Sequence, residues 1–390
     1  MKNKIFMRVI ALCIAMIFIT SAVSCAKNNA PVDESVPSEA EETSSASSET
    51  DNQSTPEAPK PQKPQENTYE LKDITENLKL HGRMSTVNSG ITCDFTASGI
   101  EFTVRAVGKV KLKVTATKDT YFSVWVDGKR QDKRLYAADM AINLTLADFE
   151  EEGEHTIKVL KQTEAQWSLC VLNSLTFAGE LKEAPANAAK YIEFIGDSIV
   201  CGHGNLCLSG EDGQGNATQE DGTTAFAYRA AERLGVDCSI IGCSGVGIDK
   251  GFTSFSEKDF YPKTSYYRST SELYDFERTP DLVVINLGTN DNTKGTTKDA
   301  YVSGVKSFIA YVRQQYGDVK IVWTYGMMTE ETTSPWLLEA IEELGGEANG
   351  LYTLKLNKNR EGGNGHPVED AHELAGRTLA RFITDNNLLG

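Results

Sequence analysis

At Pro185 the hydrophobic pattern of this chain changes period, and that switch limits what it can fold into more than any other feature. Before it, from Leu71 to Leu181, apolar residues alternate in short runs: residues 100–105, 110–115, 121–126, 155–160 and 170–177. Period two in closely spaced runs predicts an antiparallel sandwich, and Asp127-Gly128 supplies a tight hairpin turn between two of them. After it, apolar runs at Tyr191–Ile195, Cys238–Ile241, Leu282–Leu287, Lys320–Thr324 and Leu351–Leu356 alternate with helical stretches at Thr224–Leu234, Asp299–Tyr316, Trp336–Leu344 and Ala371–Thr384. Short apolar runs separated by helices predict a parallel sheet covered on both faces. Ligands of such sheets bind at the carboxyl ends of the strands.

The first residues obey different rules. Lys2, Lys4 and Arg8 precede an apolar stretch, Val9 to Val23, that ends in small residues, as a secretory leader does. It is shorter than the ~20 residues a spanning helix needs, so export is expected over residues 1–24. Residues 26–68 hold no aromatic, Leu or Ile and are rich in Ser, Thr, Glu, Gln and Pro. They cannot bury enough apolar surface to offset the entropy of ordering, so residues 25–68 are expected to be a disordered tether, stiffest from Pro56 to Pro64. This divides the chain into leader 1–24, tether 25–68, sandwich 69–184 and α/β body 185–390.

Acidic residues outnumber basic ones, 55 to 39, giving a formal charge of −16. Such a surface repels phosphate backbones and tolerates neutral polymers, so nucleic acid is excluded as a partner and a polysaccharide suits better than a phospholipid headgroup. Beyond Cys13 and Cys25 the cysteines are Cys93, Cys170, Cys201, Cys207, Cys238 and Cys243. An even count in an exported chain permits disulfides, but Cys238 and Cys243 flank an extended run of roughly 16 Å and are not expected to bridge. No paired-cysteine or HExxH motif indicates a metal site, and no cofactor is implied.

Four short blocks fall at strand ends or before the last helix: Gly196-Asp197-Ser198, Cys243-Ser244-Gly245-Val246-Gly247, Gly288-Thr289-Asn290-Asp291 and Gly365-His366-Pro367. A serine on a strand-to-helix turn presents its hydroxyl outward. A histidine from a late loop can reach it as base, and Gly and Asn can aim N–H groups at a developing oxyanion. In order and placement these blocks resemble the SGNH hydrolases. With a preceding sandwich that carries Lys161-Gln162-Thr163-Glu164-Ala165 near its end, the match from Leu71 to Gly390 resembles carbohydrate esterase family 2. The cleavage region Ser21-Ala22-Val23-Ser24-Cys25 resembles a bacterial lipobox, which implies lipidation of Cys25, a membrane attachment through that lipid, and a cell-surface location. Ordinary cleavage after Ser24, releasing a soluble protein, is the alternative.

The esterase resemblance implies a jelly-roll domain followed by a three-layer, flavodoxin-like SGNH domain, and removal of acetyl groups from plant cell-wall polysaccharides such as xylan or glucomannan. By motif, Ser198 is the nucleophile and His366 its base; the N–H groups of Ser198 and Gly245 and the side chain of Asn290 form the oxyanion hole. Members of this family usually carry Asp two or three places before the histidine, where this chain has Gly363 and Asn364. Asn364 or a backbone carbonyl is therefore expected to orient His366, the glycines of the loop favouring the carbonyl. Asp197 and Asp291 read as braces of their loops, His203 as a solvated residue of a Gly-rich loop, and His372 as structural. Asp370 to Glu373 read as the capping box of the last helix, and His81 and His155 as lacking partners. Trp167, Trp336 and Tyr266 are candidate sugar contacts. The competing functions are a carbohydrate-binding lipoprotein with degenerate chemistry and a lipid or thioester hydrolase on the same fold.

Overall fold

The structure, a computed structural model, describes residues 65–208, 215–270, 272–328 and 330–390. The leader, Cys25 and the tether up to residue 64 lie outside the described residues. The first strand, β1 (Glu66–Glu70), begins inside the segment expected to be tether. It is held by pairing with a distant strand and by a Thr68–Thr176 hydroxyl bond of 2.9 Å, long-range partners that local composition does not reveal.

The first body contains β2 (Lys79–His81), β3 (Thr86–Val87), β4 (Gly90–Thr92), β5 (Gly99–Ala116), β6 (Thr120–Val126), β7 (Lys129–Arg130), β8 (Leu135–Ala137), β9 (Met140–Lys161) and β10 (Cys170–Leu181). With β1 they form an antiparallel network along the order β3-β4-β10-β5-β9-β6-β7. Residues 100–105 and 110–115, read as two strands, are one: β5 continues through a register shift at Ala106/Gly108, where Gly108 takes φ +73°. Strand β9 is also far longer than its apolar run, because its pairing with β5 continues on both sides of a bulge at Glu150–Glu152, between the Ala106–Gly153 and Gly108–Phe149 pairs. Asp127 and Gly128 both have positive φ, 51° and 76°, as the turn between β6 and β7 requires. Alternate residues Ile100, Phe102, Val104, Val110, Leu112 and Val114 of β5 enter the core.

The second body is a five-stranded parallel sheet, order β12-β11-β13-β14-β15, from β11 (Tyr191–Gly196), β12 (Asp237–Gly242), β13 (Leu282–Asn286), β14 (Lys320–Tyr325) and β15 (Leu351–Lys355). Its helices are α1 (Ser198–Cys201), α2 (Phe226–Leu234), α3 (Glu257–Phe260), α4 (Thr289–Lys294), α5 (Lys298–Tyr316), α6 (Thr333–Glu343) and α7 (Glu369–Asp385). Side chains on one face, among them Ile195, Val283, Ile285 and Trp323, pack under α5 and α6; those on the other, among them Ile192, Phe194, Val284 and Val322, pack under α2 and α7. The order reverses at β11, between β12 and β13, so the crevice for a ligand opens there. Helix α7 starts at Glu369 after Val368, with no side-chain cap, so Asp370 does not open a capping box.

The bodies interlock through polar groups as well as core. Arg83, buried, donates to the carbonyls of Tyr261 and Lys263 and pairs with Glu193 at 3.6 Å. Lys79–Asp237, Arg268–Asp94 and Arg130–Asp221 pairs also cross, at 2.8, 2.5 and 2.6 Å. All six cysteines of the two bodies are free thiols.

Candidate active site

Strand β11 ends at Gly196, where a Cβ would come within 2.7 Å of Asn286 O and Val200 Cγ1, so only glycine permits this sharp strand-to-helix turn. Asp197 caps α1 by accepting the Ile199 N–H at 3.0 Å. Ser198 thereby becomes the first helical residue, at the sheet's switch point and 5% exposed. Its Oγ lies 2.7 Å from His366 Nε2. The other ring nitrogen, Nδ1, faces the carbonyl of Gly363 at 3.1 Å. If Nδ1 carries the proton and donates it to that carbonyl, Nε2 is left as the acceptor a serine base needs.

The loop that presents His366 is fixed from both sides: Gly362 N–H donates to His366 O at 2.8 Å, and Gly363 N–H to Gly204 O at 2.9 Å. Asn364 is exposed and occupies the left-handed region, φ 54° and ψ 32°. Its contribution is conformational: asparagine tolerates this region, and the turn aims the preceding carbonyl at the ring. The acceptor facing Nδ1 therefore belongs to Gly363 rather than to the Asn364 side chain. Accordingly Asn364→Asp should leave kcat for an aryl acetate within a few-fold of the parent, and a gain of tenfold, about 1.4 kcal/mol, would return the orienting role to position 364.

The residues expected to form the oxyanion hole come from turns at the same, carboxyl end of the parallel sheet. The N–H of Ser198, first in α1, has no intrahelical acceptor. Gly245 follows β12 with φ +84°, and its carbonyl accepts Phe252 N–H at 2.7 Å. Asn290, second residue of α4, donates Nδ2 to Val246 O at 2.8 Å and to Asp197 Oδ2 at 3.2 Å. It is thus tied to the loop of Gly245, and donation to an oxyanion has to replace the longer bond. Burial raises the Asp197 carboxyl to about 8, so near neutrality it is largely uncharged and holds that amide weakly. The Asp291 carboxylate accepts the N–H groups of Ile248, Asp249 and Lys250 at 3.0, 2.8 and 2.9 Å, bracing the same loop.

Residues 194–369 match the GDSL-like Lipase/Acylhydrolase family, and residues 80–185 match the Carbohydrate esterase 2 N-terminal family. The chain thus joins a GDSL-like lipase/acylhydrolase domain to a carbohydrate esterase 2 N-terminal domain, and its homologues are family 2 carbohydrate esterases. Among its relatives, cellulase/esterase CelE of Acetivibrio thermocellus is 28% identical over 319 residues, and the chain spans less than half of that protein's length, 77% of this chain against 38% of CelE. An acetylxylan esterase / glucomannan deacetylase of Cellvibrio japonicus is 23% identical over 244 residues, covering 60% of this chain and 68% of that protein. A family two carbohydrate esterase from Clostridium thermocellum, solved in complex with cellohexaose, superimposes with TM-score 0.75 at 24% identity, covering 80% of this chain and 99% of that one.

Beside the Ser198–His366 pair lies a cluster that the sequence does not advertise. His203 is 7% exposed, not solvated; its ring stacks on Trp167 and meets the His366 ring at 4.6 Å between centroids. Its Nδ1 pairs with Glu220 at 3.4 Å and Glu164 at 3.9 Å. Burial opposes the charge, but the two carboxylates outweigh it and hold the imidazolium up to about 10. Among the described residues, these three are the one group spaced closely enough to hold a metal ion. Each carboxylate oxygen, however, already accepts a protein donor: Gln166, the Ser244 N–H and hydroxyl, the Glu164 N–H and the Trp167 indole. The imidazolium serves as the cluster's cation. The signal that could have exposed the cluster was Glu164 inside the Lys161–Ala165 block, an acid with no reason to be buried in a sandwich of its own.

His366 is pushed down to about 4, first by burial and second by the charge of His203, against the pull of the Gly363 carbonyl. A base with so low a pKa stays unprotonated through the neutral range. The acid limb of kcat/KM should therefore fall well below pH 6.5, and His203→Gln, which removes a cation, should move it upward. A pH–rate profile with the limb at 6.5 in both forms would contradict this coupling.

The remaining histidines have structural partners. His372 Nδ1 accepts the Phe226 N–H at 3.1 Å, tying α7 to α2. His81 bonds Glu101 at 2.9 Å and His155 bonds Asp127 at 2.8 Å, so both have the partners that sequence reading denied them. Trp336 and Tyr266 pack against the core of the α/β body, while Trp167 stacks on His203, whose ring meets that of His366.

Proposed function

We propose that this chain is a serine esterase that removes O-acetyl groups from plant cell-wall polysaccharide, xylan or glucomannan, through an acetyl-enzyme on Ser198. The observation that carries the reading is the continuous line from Ser198 Oγ to His366 Nε2 at 2.7 Å and from Nδ1 to Gly363 O at 3.1 Å. His366 takes the hydroxyl proton as Ser198 attacks the acetyl carbonyl. The N–H groups of Ser198 and Gly245, with Asn290, receive the oxyanion. Collapse of the tetrahedral intermediate breaks the ester C–O bond, and the proton on His366 goes to the departing sugar oxygen. Water, deprotonated by the same ring, then releases acetate and frees Ser198.

The substrate class is supported by what the relatives are called, an acetylxylan esterase / glucomannan deacetylase and a cellulase/esterase, and by the relative solved with cellohexaose. The near-complete burial of Ser198 and His366 suits a small acyl group. We read the β body as a jelly roll. The test is acetate release by the purified chain from acetylated xylan and glucomannan, set against aryl esters of increasing acyl length. Release from the glycans with preference for acetyl over longer chains is expected. Preference for long acyl chains would favour the lipid-hydrolase reading, and no turnover of any ester would favour a binding protein.

The leader and Cys25 support a lipid-anchored protein at the cell surface, held off the membrane by the tether. Replacing Cys25 by Ser should shift the protein from the membrane fraction to the soluble one, and an unchanged distribution would argue for simple secretion.

A further inference from the structure

Glu164 belongs to the loop after β9, on the β body, yet its carboxylate is fully buried against the loop that carries Gly245. One oxygen accepts the Ser244 N–H at 2.7 Å; the other accepts the Ser244 hydroxyl and the Gln166 amide. The loop holding Glu164 is itself pinned. Buried Lys161 donates to the carbonyls of Asp94, Thr163 and Glu164 at 2.9, 2.6 and 3.1 Å, and the Glu164 N–H donates to Glu220 at 2.6 Å. The same carboxylate faces His203, whose ring lies against the base.

Ser244 immediately precedes Gly245, and its backbone sets the plane of the peptide whose N–H the esterase reading assigns to the oxyanion hole. A glycine at φ +84° gives that peptide freedom that a catalytic donor has to lose. Clamping both the N–H and the hydroxyl of Ser244 removes most of it. We propose that Glu164 is a positioning residue for the oxyanion hole, acting through Ser244, so that the β body completes the catalytic site of the α/β body. The proposal rests on the esterase reading of Ser198 and extends it to a residue of the other body. It also gives a physical role to the Lys161–Ala165 block: Lys161 builds the loop that Glu164 needs.

The experiment uses the full chain and measures the rate at which an aryl fluorophosphonate modifies Ser198, together with kcat and KM for an aryl acetate. Phosphonylation needs the nucleophile and the oxyanion hole but not the natural acyl group. Glu164→Gln should lower both the labelling rate and kcat by ~10²-fold, with KM within a few-fold, because a misplaced donor costs the transition state more than the ground state. Ser244→Ala, which removes only the hydroxyl and is far gentler on folding, should lower them several-fold. The double variant should be no slower than Glu164→Gln alone, since both changes act through one contact. Labelling of both single variants at the parental rate, or multiplicative losses in the double variant, would overturn the proposal. The readout keeps the two claims apart: a chain that labels Ser198 but releases no acetate overturns the acetyl reading, and its labelling ratios still decide on Glu164.

Discussion

Replacing Ser198 by Ala should lower kcat for acetyl-ester hydrolysis by ~10⁴–10⁶, the range seen when a serine nucleophile is removed from a preorganised site. The change deletes one hydroxyl whose side-chain partner is His366 Nε2. Loss of a single such bond is worth about 1 kcal/mol of stability, so the variant should unfold close to the parent midpoint in denaturant. Residual turnover above a hundredth of the parent would mean that another group attacks the ester.

His366→Ala should be nearly as damaging, with a loss of ~10⁴-fold or more, because one ring acts in both halves of the reaction. Without it the Ser198 hydroxyl keeps its proton at neutral pH and the sugar alkoxide must leave unprotonated. Among the described residues no carboxylate reaches the His366 ring through a direct hydrogen bond: Nδ1 has the Gly363 carbonyl and Nε2 has Ser198. The remaining rate of the Ala variant should therefore rise steadily with pH, as hydroxide replaces the missing base. Measured kcat against pH gives the answer, and a level profile at more than a hundredth of the parent rate would remove His366 from the mechanism.

What could be read from the sequence follows from where the determining contacts lie. The strands of the second body hold short local apolar runs, so the position of Ser198, Gly245 and Asn290 at strand ends and of His366 before the last helix was legible, while their roles came from the resemblance to the SGNH hydrolases. Glycines at 196 and 245 announce turns because no other residue fits there. The orienter of His366 was only half legible, since a carbonyl leaves no side-chain signature and glycines merely permit it. Non-local features were lost. β9 runs past the acidic bulge at Glu150–Glu152 because its pairing with β5 resumes on the far side. β1 pairs across more than a hundred residues of chain. His203 looked solvated because its neighbours in sequence are glycines, whereas its neighbours in space, Glu164 and Glu220, come from loops before and after it. Burial of a charge cannot be read until its counter-charges are found.

The most direct test of the mechanism is to trap its intermediate. Turnover of acetylated glucomannan or xylan is quenched in acid within the first cycles, the chain is digested, and the peptide that contains Ser198 is weighed. The dyad predicts one added acetyl group on Ser198, absent from the Ser198→Ala variant and discharged on incubation at neutral pH. Steady acetate release with no acetyl group on Ser198 under the same quench, or an acetyl group on another residue that turns over at the catalytic rate, would contradict it.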